Sequence, residues 1–581
     1  MAKEKWVLIT KKADFDEMAQ KFGISPMLAR IIRNRDVISP EEVEYYLNAG
    51  PERMHAPEQM KDMEKGAQIL LSRIREGKKI RVIGDYDADG VCASFILKKG
   101  LTALGGDVSI RIPHRVTDGY GLNMRLIEET HEDGIDTIVT CDNGISAREE
   151  IAYAKQRGMT VVVTDHHEVP YEETDDVRIE LLPAADAVIN PKQEKCNYPY
   201  KEICGALVAY KLIQMMFEMA GHKGEKVLRE LMEFAAIATI CDVMDLLDEN
   251  RVVVKCGLEY LNQSKNLGLR KLIEVCGLSD KKIGCYHIGF VIGPCLNATG
   301  RLDSAMQAIR LFETTQEDEA YALATALKDM NDERKTMTEK GVAEAVEMIE
   351  GQGYADDSVL VVYLPQCHES IAGIIAGRLK EKYYKPVFVL TNGEQGLKGS
   401  GRSIEAYSMY DGLCEVKDLL GKFGGHKMAA GLSLETENLE ELRRRLNENA
   451  KLTEDDMTPK IKIDIPLPIL YASNDFIKEL DRLEPFGNGN CKPVFAQKNL
   501  KIRNCVVRGK NRNVAGFRLE DDNGYYVSGV YFGEADTFVQ EVKEHGGRIN
   551  IVYYPEINEY NGMASVQIVV SHYSFPEGTG E

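Results

Sequence analysis

Residues 80–90 read IRVIGDYDADG, a short apolar, β-branched run that is followed directly by three aspartates. Three more acidic patches follow in the first half of the chain, and two of them also end a β-branched run. The eight candidate metal ligands are Asp85, Asp87, Asp89, Asp142, Asp165, His166, His167 and Asp242. Carboxylates and imidazoles at strand ends are typical ligands of hard or borderline divalent cations. Because two such cations can activate a water molecule and stabilise an in-line attack on phosphorus, the pattern predicts a metal-dependent phosphoesterase.

The apolar runs alternate with helical stretches, which predicts an α/β fold with a parallel sheet. The predicted strands are Ile80–Ile83, Val108–Ile112, Thr137–Thr140, Thr160–Thr164 and Ala187–Ile189. They read as continuous apolar runs because strands of a parallel sheet are buried on both faces. Ligands of open α/β sheets bind beyond the carboxyl ends of the strands. Asp85, Asp142 and Asp165 occupy such positions, so we expect them to converge in space.

The rest of the chain shows three other patterns. Residues 1–50 look helical. Residues 316–351 are charged and poor in glycine, which predicts one or two long helices that connect two lobes. A second α/β region begins at Val359–Tyr363 and ends near Leu434, and after Pro459 alternating segments and turn signals predict a small β-barrel.

Composition limits the class of protein. A chain of 581 residues is too long for one hydrophobic core and suggests roughly three or four domains. The hydrophobic content of 44% and the charged content of 28% are typical of a globular protein, and no run is long enough to span a membrane. The start of the chain lacks the apolar segment of a secretory signal. The thirteen scattered cysteines include no CxxC pair, which favours free thiols and a cytoplasmic location.

The net charge of −20 argues only weakly against nucleic acid, because an average over the surface is compatible with a local basic channel. In the C-terminal region, basic residues are interleaved with aromatic ones. The cluster comprises Arg503, Arg508, Lys510, Arg512, Phe517, Arg518, Tyr525 and Tyr526. This combination suits single strands, whose bases stack on rings while their phosphates meet cations. The alternative is a solvated barrel face with core aromatics.

Each metal motif also has a structural interpretation. The aspartates that begin at Asp85 resemble the opening of an EF-hand loop, but the twelfth residue is Ile96 instead of Glu, and a strand precedes them. The Asp142 motif alone is typical of a turn. Adjacent histidines on a strand point in different directions, so at most one shares a metal with Asp165, and the other is left to hold a substrate phosphate. An isolated histidine pair is more often on the surface, and Asp242 alone is only an acid at a helix end. The prediction depends on the order and the strand-end placement of the patches.

In this order the motifs resemble those of the DHH phosphoesterase superfamily. The segments concerned are VIGDYDADGVCAS, VTCDNGIS, VVVTDHHEVP and ICDVMDL. Four later segments resemble the associated second domain, DHHA1; they are GPCLNATGRLDSA, GIIAGRL, KGSGRS and GGHKMAAGLSL. EPFGNGNCKPVF and the β-rich tail with NEYNG resemble the C-terminal oligonucleotide-binding (OB) fold of RecJ-type exonucleases. The N-terminal segment ISPMLARIIRNRDV is also similar to that of RecJ-type exonucleases. The resemblance covers nearly the whole chain.

The resemblance implies an α/β protein with a two-lobed DHH/DHHA1 core, a parallel-sheet catalytic lobe, a long helical connector and a C-terminal OB-type β-barrel. The implied domains are an N-terminal helical region at 1–54, a DHH catalytic domain at 55–265, a helical connector at 266–350, a DHHA1 domain at 351–452 and a nucleic-acid-binding OB fold at 453–581.

The implied function is that of an exonuclease that uses two Mn²⁺ or Mg²⁺ ions. It degrades single-stranded DNA from the 5′ end to 5′-mononucleotides in recombination and repair, with a helicase and a single-strand-binding protein as partners. One alternative is a phosphodiesterase for short oligonucleotides or cyclic dinucleotides, against which the additional C-terminal fold argues. Another is a non-catalytic replication scaffold, against which the complete set of acids argues.

The resemblance also implies a role for each site residue. The metal ligands are Asp87, Asp89, Asp142, His166 and Asp242. Asp142 bridges the two ions, whereas Asp85 and His167 either bind an ion or hold a ligand in place. The catalytic residues are Asp87, Asp142, His166 and His167. The substrate-binding residues are Arg115, Asn297, Arg301, Ser400, Arg402 and His426.

Among the substrate-binding residues, Arg115 matches a basic position near the 5′-phosphate, and Ser400 with Arg402 matches a phosphate-binding turn. Arg301 matches a position that contacts the DNA backbone. A guanidinium suits a phosphate because it donates two parallel hydrogen bonds. His426 lies in a glycine-rich turn where backbone N–H groups can approach an anion, and the alternative is a structural histidine that caps the turn.

Three positions depart from the family pattern. Cys295 stands where Arg is usual, Cys367 stands where Trp is common, and Glu369-Ser370 replaces a usual Pro-Gly. All three lie in the second lobe, beside the expected DNA path, so they leave strand grip, processivity and substrate length undecided and do not concern the metal cage. Cys92 and Cys141 are interpreted as small packing residues, because this chemistry needs no nucleophilic thiol.

Overall fold

The chain folds into two compact units. The computed structural model describes residues 4–115, 118, 119, 121–174, 177–222, 224–393, 396–560 and 563–576. Some parts of the predicted motifs lie outside the described residues, namely Val116, Thr117 and Tyr120 of PHRVTDGYGLN and the last two residues of NEYNG. The first unit contains His55–Asp242 and Cys256–Pro459; the second contains Lys5–Met54, Val243–Lys255 and Lys460–Glu581. Each helix in the described ranges is too short or too polar to cross a bilayer.

The N-terminal segment contains one strand and three helices. They are β1 (Lys5–Leu8), α1 (Phe15–Phe22), α2 (Pro26–Asn34) and α3 (Pro40–Asn48). The helical prediction for residues 1–50 is confirmed for these three helices, and Ser39 with Glu42 forms a capping box at the start of α3. The prediction is wrong for Lys5–Leu8, because this strand pairs in parallel with Lys460–Ile463 near the other end of the chain.

The first α/β region is built on a five-stranded parallel sheet. Its elements are α4 (Met63–Arg75), β2 (Lys79–Ile83), α5 (Ala88–Ala103), β3 (Asp107–Arg111), α6 (Met124–Glu132), β4 (Thr137–Cys141), α7 (Arg148–Gln156), β5 (Thr160–Thr164), β6 (Tyr171–Thr174), β7 (Val177–Glu180), β8 (Ala187–Ile189), α8 (Gly205–Met219) and α9 (Glu225–Cys241). The sheet has the order β3-β2-β4-β5-β8, and all its pairings are parallel. The five predicted strands are thereby confirmed. Because β4 lies between β2 and β5, the three acidic strand ends are neighbours.

A helical region follows the first α/β region. It contains α10 (Asp248–Leu261), α11 (Leu267–Val275), α12 (Cys285–His287), α13 (Gly293–Leu302), α14 (Met306–Glu313) and α15 (Glu317–Gly351). A π-helical turn at Ile288–Ile292 joins α12 to α13. The prediction of one or two long helices over residues 316–351 is confirmed, because α15 is one continuous helix of 35 residues.

The second α/β region has a mixed sheet. Its elements are β9 (Leu360–Tyr363), α16 (Glu369–Tyr383), β10 (Val387–Asn392), β11 (Leu397–Arg402), α17 (Met409–Cys414), β12 (Leu420–His426), β13 (Ala429–Leu434) and α18 (Leu439–Asn449). The strand order is β12-β13-β11-β10-β9, with only β9 and β10 parallel. One face of the sheet packs on α17 and α18, and the other packs on α15 and α16.

The C-terminal region forms the predicted barrel. Its elements are β14 (Lys460–Ile463), β15 (Ile465–Pro466), α19 (Asn474–Leu480), β16 (Phe495–Arg508), β17 (Val514–Glu520), β18 (Tyr526–Phe532), α20 (Ala535–Glu544), β19 (Arg548–Tyr560) and β20 (Met563–Ser574). The sheet runs β15-β16-β17-β18-β20-β19, and β19 pairs back with β16, which closes it. Its core also contains apolar side chains of α2 and α3. The boundaries predicted for the five domains stay predictions.

Candidate metal centre

The acidic strand ends meet at one edge of the parallel sheet. Asp85, Asp142 and Asp165 follow β2, β4 and β5, which are adjacent strands. Asp87 caps the next helix, since its Oδ1 accepts a hydrogen bond from the Gly90 N–H at 3.0 Å. The convergence expected from the sequence is therefore found in the structure.

Three overlapping groups of side chains have ligand atoms that all lie within 4.8 Å of one another. The groups are Asp85, Asp87 and Asp142; Asp89, His166 and Asp242; and Asp142, His166 and His167. Asp142 belongs to two groups and so links the acids of β2 to the histidines. Its backbone has a φ of 59°, in the left-handed region, which turns the chain sharply at the end of β4.

The N-terminus of α8 holds two of the acids in place. The carboxylate oxygens of Asp89 accept hydrogen bonds from the backbone N–H groups of Gly205 and Ala206, both at 2.7 Å. A Cβ atom at Gly205 would lie 2.7 Å from the Cβ atom of Asp142, so only glycine fits there. Sequence reasoning missed this pair, because ICGAL carries no motif that points to a distant aspartate.

The two histidines have different environments. The Nε2 atom of His166 lies 3.1 Å from Asp142 Oδ1, 3.6 Å from Asp89 Oδ2 and 3.7 Å from Asp242 Oδ2. The Nδ1 atom of His167 lies 2.8 Å from Asp165 Oδ1. His166 is buried, whereas the His167 side chain is 45% exposed.

Asp165 orients its neighbours and belongs to none of the three groups. Its Oδ2 accepts from the Ile145 N–H at 2.9 Å, and its Oδ1 accepts from the N–H groups of His166 and His167. The prediction that at most one histidine shares a metal with Asp165 stays a prediction, and in the structure Asp165 is hydrogen-bonded to Nδ1 of His167.

Burial and mutual repulsion disfavour the charged forms of the carboxylic acids in the cluster. They raise the pKa values of the carboxyl groups of Asp85, Asp89 and Asp142. For the same reasons the pKa of Asp242 rises to about 8. Burial lowers the pKa of His166. Burial also opposes the charge of His167, but the hydrogen bond and the charge of Asp165 raise its pKa to about 9.

These residues fit divalent cations. Within the described parts of the chain, Asp85 Oδ1 and His166 Nδ1 are buried and have no hydrogen-bond partner. A buried polar atom without a hydrogen-bond partner lowers the stability of the fold unless a ligand binds to it. The donors are carboxylate oxygens and imidazole nitrogens, which suit Mg²⁺ and Mn²⁺. Positive charge at the centre would also relieve the repulsion among the carboxylates.

Helix α13 supports the loop that carries the first acids. Asn297 Oδ1 accepts a hydrogen bond from the Ala88 N–H at 2.8 Å. A Cβ atom at Gly300 would lie 2.1 Å from the Tyr86 carbonyl oxygen, so the helix and the loop are in direct contact. Asn297, predicted to bind substrate, therefore holds this loop, and its substrate role stays a prediction.

A groove of about 290 Å³ contains two of the predicted substrate-binding residues, Arg115 and Ser400. The Arg115 guanidinium lies 5.0 Å from the centre of the Tyr86 ring, which also lines the groove. Two further lining residues, Glu369 and Lys398, were not predicted as site residues, although Lys398 begins the KGSGRS segment and Glu369 is one of the departures from the family pattern. They form an ion pair with a distance of 2.8 Å between Glu369 Oε2 and Lys398 Nζ.

The other predicted phosphate-binding residues are held by backbone groups. Arg301 donates a hydrogen bond to the Ser370 carbonyl at 2.5 Å, and burial, with the nearby charges of Arg115 and Arg334, lowers its pKa to about 10. Arg402 donates to the Gly401 carbonyl at 2.7 Å. Burial, and then the charge of Arg115, lowers the pKa of Arg402. Both arginines are thus fixed in place and electrostatically close to Arg115.

His426 makes the contact that the structural alternative predicts, and its role in binding substrate stays a prediction. Its side chain is exposed, and its Nδ1 accepts a hydrogen bond from the Met428 N–H at 3.3 Å, so it caps the turn between β12 and β13. Cys92 and Cys141 are buried, as expected of packing residues, and burial raises the pKa of Cys141 to about 12.

The basic and aromatic residues of the barrel divide into two sets. The guanidinium of Arg518 on β17 lies 3.2 Å from the ring centre of Tyr526 on β18, and Tyr526 is exposed. In contrast, Arg503 and Arg512 form ion pairs with acidic residues, and Phe517 is buried in the core. The cation and aromatic surface predicted for single strands is therefore narrower than the sequence indicates.

Three known families match consecutive parts of the chain. Residues 79–239 match the DHH family, N-terminal domain, residues 356–452 match the DHHA1 domain, and residues 463–572 match the RecJ OB domain. The first match contains all the candidate metal ligands except Asp242. The third covers the strands from β15 to β20, apart from the last residues of β20.

Curated relatives and solved structures are similar over almost the whole chain. The single-stranded-DNA-specific exonuclease RecJ of Bacillus subtilis is 35% identical over 95% of this chain and 68% of its own length. The Salmonella typhimurium protein of the same name is 31% identical over 96% and 98%. The crystal structure of RecJ in complex with Mn²⁺ from Thermus thermophilus has a TM-score of 0.82 at 28% identity, over 99% of this chain and 80% of that one. Its complex with Mg²⁺ has a TM-score of 0.76 at 26% identity, over 99% and 79%.

Proposed function

Because this chain belongs to the RecJ family of single-stranded-DNA-specific exonucleases, we propose that it removes 5′-mononucleotides one after another from the 5′ end of single-stranded DNA. It is a hydrolase of phosphodiester bonds. The observation that carries this function is the meeting of three parallel-strand ends, where Asp142 is common to two groups of candidate ligands.

Two divalent cations, Mn²⁺ or Mg²⁺, are the cofactors, and RecJ of Thermus thermophilus has been solved with each of these metals. The residues that would hold one ion are Asp85, Asp87 and Asp142, and those that would hold the other are Asp89, His166 and Asp242, with Asp142 between them. When bound at these residues, such ions would supply Lewis-acid chemistry, since they would polarise the scissile phosphate and lower the pKa of a water molecule so that hydroxide is available for the attack.

The protein's own groups position the reactants. Two backbone N–H groups hold the carboxylate of Asp89, which fixes the direction of its oxygens. Asp165 binds Nδ1 of His167 and so sets the orientation of its ring. We assign Nε2 of His167, which is the exposed histidine, to an oxygen of the substrate phosphate.

The groove beside Arg115 supports recognition of a terminal 5′-phosphate. Arg115, Lys398 and the Ser400 hydroxyl supply charge and hydrogen-bond donors at its surface. Glu369, where the family pattern has proline, places a carboxylate among them and pairs with Lys398. A phosphate must compete with that carboxylate for Lys398, so we expect weaker capture of the 5′ end than in relatives without the acid.

The barrel supports binding of a longer strand. The Tyr526 ring is exposed and has the Arg518 guanidinium over one face, a pairing of ring and cation that suits a stacked base and its phosphate. Since stacking does not depend on the identity of the base, this surface agrees with a nuclease that acts on any sequence.

We place the activity in DNA recombination and repair in the cytoplasm. A helicase would supply unwound strands, and a single-strand-binding protein would be a further partner. Family membership supports the role in repair, since the curated relatives are named as exonucleases specific for single-stranded DNA.

The test is a time course with Mn²⁺ on two long single-stranded oligomers, one labelled at the 5′ end and one at the 3′ end. We expect immediate release of labelled mononucleotide from the first and a ladder of shortened products from the second. Release from the 3′ label first would contradict the direction. Intact oligomers beside hydrolysis of a dinucleotide would replace the proposal with a phosphodiesterase for short substrates.

A further inference from the structure

Two cysteines outside the metal centre lie close enough to react with each other. The Sγ atoms of Cys276 and Cys295 are 3.9 Å apart. Cys276 is half-buried at the end of α11, and Cys295 is buried within α13. An oxidant in solution can therefore approach the first sulfur, and the second sulfur is shielded.

The surroundings of the pair give its two members different reactivity. The contact with the Cys295 sulfur lowers the pKa of Cys276; burial and the charge of Asp332 oppose this effect, and the charges of Lys328 and Lys335 on α15 support it. The same contact and burial raise the pKa of Cys295. A thiolate is the nucleophile in thiol oxidation, so Cys276 is the sulfur that reacts first.

Helix α13 connects this pair to the metal centre. Two residues after Cys295, the side chain of Asn297 binds the Ala88 N–H between the first metal-binding aspartates. Gly300 contacts the Tyr86 carbonyl, and Arg301 binds the Ser370 carbonyl beside the phosphate groove. A movement of α13 would therefore displace both the loop that carries the first metal-binding aspartates and the phosphate groove.

We propose that Cys276 and Cys295 are a peroxide-sensitive pair whose oxidation to a disulfide slows hydrolysis at the metal centre. The effect on rate rests on the exonuclease function proposed above, whereas formation of the bond does not. The oxidant is a hydroperoxide, with hydrogen peroxide as the simplest example.

The chemistry takes place in two balanced steps. The Cys276 thiolate attacks one oxygen of the peroxide, so an S–O bond forms, the O–O bond breaks, and the hydroxide released takes up a proton to become water. The Cys295 sulfur then attacks the sulfenic sulfur of Cys276, so the S–S bond forms and the S–O bond breaks. The departing hydroxide takes the Cys295 proton. Two thiols and one peroxide thus give one disulfide and two waters.

Closing the bond must move Cys295 or Cys276. An S–S bond of about 2.05 Å requires the sulfurs to approach by about 1.9 Å. At present, Cys295 Sγ lies 3.2 Å from the Val291 carbonyl oxygen and 3.5 Å from Asn331 Nδ2, and these contacts are lost as the sulfur turns. Since a displacement of about 1 Å at a catalytic group can lower a rate by about 100-fold, we expect a fall of about tenfold or more.

The experiment begins with the full-length, fully reduced protein without metal, which is treated with one equivalent of hydrogen peroxide and then alkylated. Digestion without reductant and mass spectrometry identify any peptide that joins Cys276 to Cys295. Treated samples are then supplied with Mn²⁺ and assayed on single-stranded DNA, with and without dithiothreitol. The variants are Cys276→Ser and Cys295→Ala, and Cys491→Ser removes an exposed thiol as a matched control.

We expect the joined peptide in the wild type and in Cys491→Ser, with a loss of rate that dithiothreitol reverses, and neither effect in the two pair variants. Recovery of both cysteines as alkylated thiols under these conditions would overturn the proposal, and so would a disulfide that leaves the rate unchanged. Absence of hydrolysis by the reduced wild type would refute the proposed function instead, and the peptide result would still test the bond. If a pair variant fails to fold, the proposal is decided by the joined peptide in the wild type and by recovery of the wild-type rate with dithiothreitol.

Discussion

Gly205 lies so close to Asp142 that a methyl group on its Cα atom would come within 2.7 Å of the Asp142 Cβ and 2.9 Å of its Oδ1. The same residue donates its N–H to Asp89. The first residue of α8 therefore sets the distance between two carboxylates that belong to different ligand groups.

Gly205→Ala is expected to lower kcat by about tenfold to 100-fold, because the added methyl group displaces Asp142 by a fraction of an ångström or more. The measurement is the rate of nucleotide release at saturating DNA and Mn²⁺. Gly377→Ala is the control, since Gly377 lies in α16 with open space around its Cα atom. Equal rates for wild type and Gly205→Ala would mean that hydrolysis does not depend on the exact position of Asp142, which would contradict its central place in the metal site.

Asp142→Asn is expected to abolish hydrolysis and leave the fold intact. Burial and the neighbouring acids raise the pKa of Asp142, so its charge destabilises the metal-free protein, and the neutral amide should increase the melting temperature in EDTA. Mn²⁺ at about 100 times its Kd should stabilise the wild type by about 2.7 kcal/mol and the variant much less. Differential scanning calorimetry with and without Mn²⁺ measures both effects; an active variant with a normal response to Mn²⁺ would refute the assignment.

Arg402→Ala is expected to reduce the preference for a 5′-phosphate over a 5′-hydroxyl by about tenfold, because a hydrogen bond to a charged group contributes about 1.5–3 kcal/mol. The quantity to compare is kcat/KM on the two oligomers. Arg378→Ala is a suitable control, because this exposed arginine of α16 pairs only weakly with Glu381, at 3.4 Å. An unchanged preference in Arg402→Ala would remove this residue from the phosphate site.

Tyr526→Ala is expected to raise the KM for a long single strand by about fivefold or more, since one base–aromatic stack contributes about 1–3 kcal/mol. The KM for a dinucleotide should stay the same, because two nucleotides need no further platform. Tyr321→Ala removes a similarly exposed ring on α15 and serves as the control. Equal increases for both substrates would favour a short-substrate enzyme. Deletion of residues 460–581 is a poorer test, because it would expose apolar side chains of α2 and α3.

Arg251→Met is expected to lower the free energy of unfolding of its unit by about 3 kcal/mol or more, because several buried acceptors lose their partner at once. The guanidinium donates to the carbonyls of Tyr46, Leu483 and Glu484 at 2.8–3.0 Å. Lys255→Met is the control; this lysine makes one such bond, to the Leu47 carbonyl at 3.2 Å, and should contribute about 1 kcal/mol. Urea denaturation followed by circular dichroism measures both losses, and similar values would contradict the role of Arg251.

The sequence predicted the parallel sheet and the meeting of its acids because both depend on local signals. Buried β-branched runs identify the strands, and the residue after each run lies at the edge where ligands bind. Asp85, Asp142 and Asp165 could be placed in this way without knowing the strand order. The helix α15 was equally clear, because its pattern continues for 35 residues.

The hydrogen bonds and close contacts that hold the site residues in place could not be predicted, because they join residues that are distant in the chain. Nothing near Asp89 indicates that the N–H groups of Gly205 and Ala206 bind it, and nothing near Asn297 points to Ala88. The pairing of Lys5–Leu8 with Lys460–Ile463 is of the same kind. The roles of the substrate-binding residues stay predictions, and three of them, Asn297, Arg301 and Arg402, make hydrogen bonds to backbone groups.

The unit assembled from Lys5–Met54, Val243–Lys255 and Lys460–Glu581 has a consequence for synthesis on the ribosome. The N-terminal helices leave the exit tunnel early, but the barrel strands against which they pack are translated about 400 residues later, which takes about 20–80 s at about 5–20 residues per second. During that time their apolar side chains lack their final partners. A nascent chain stalled before residue 460 should therefore expose these helices to protease and to chaperones, and completion of the C-terminus should protect them.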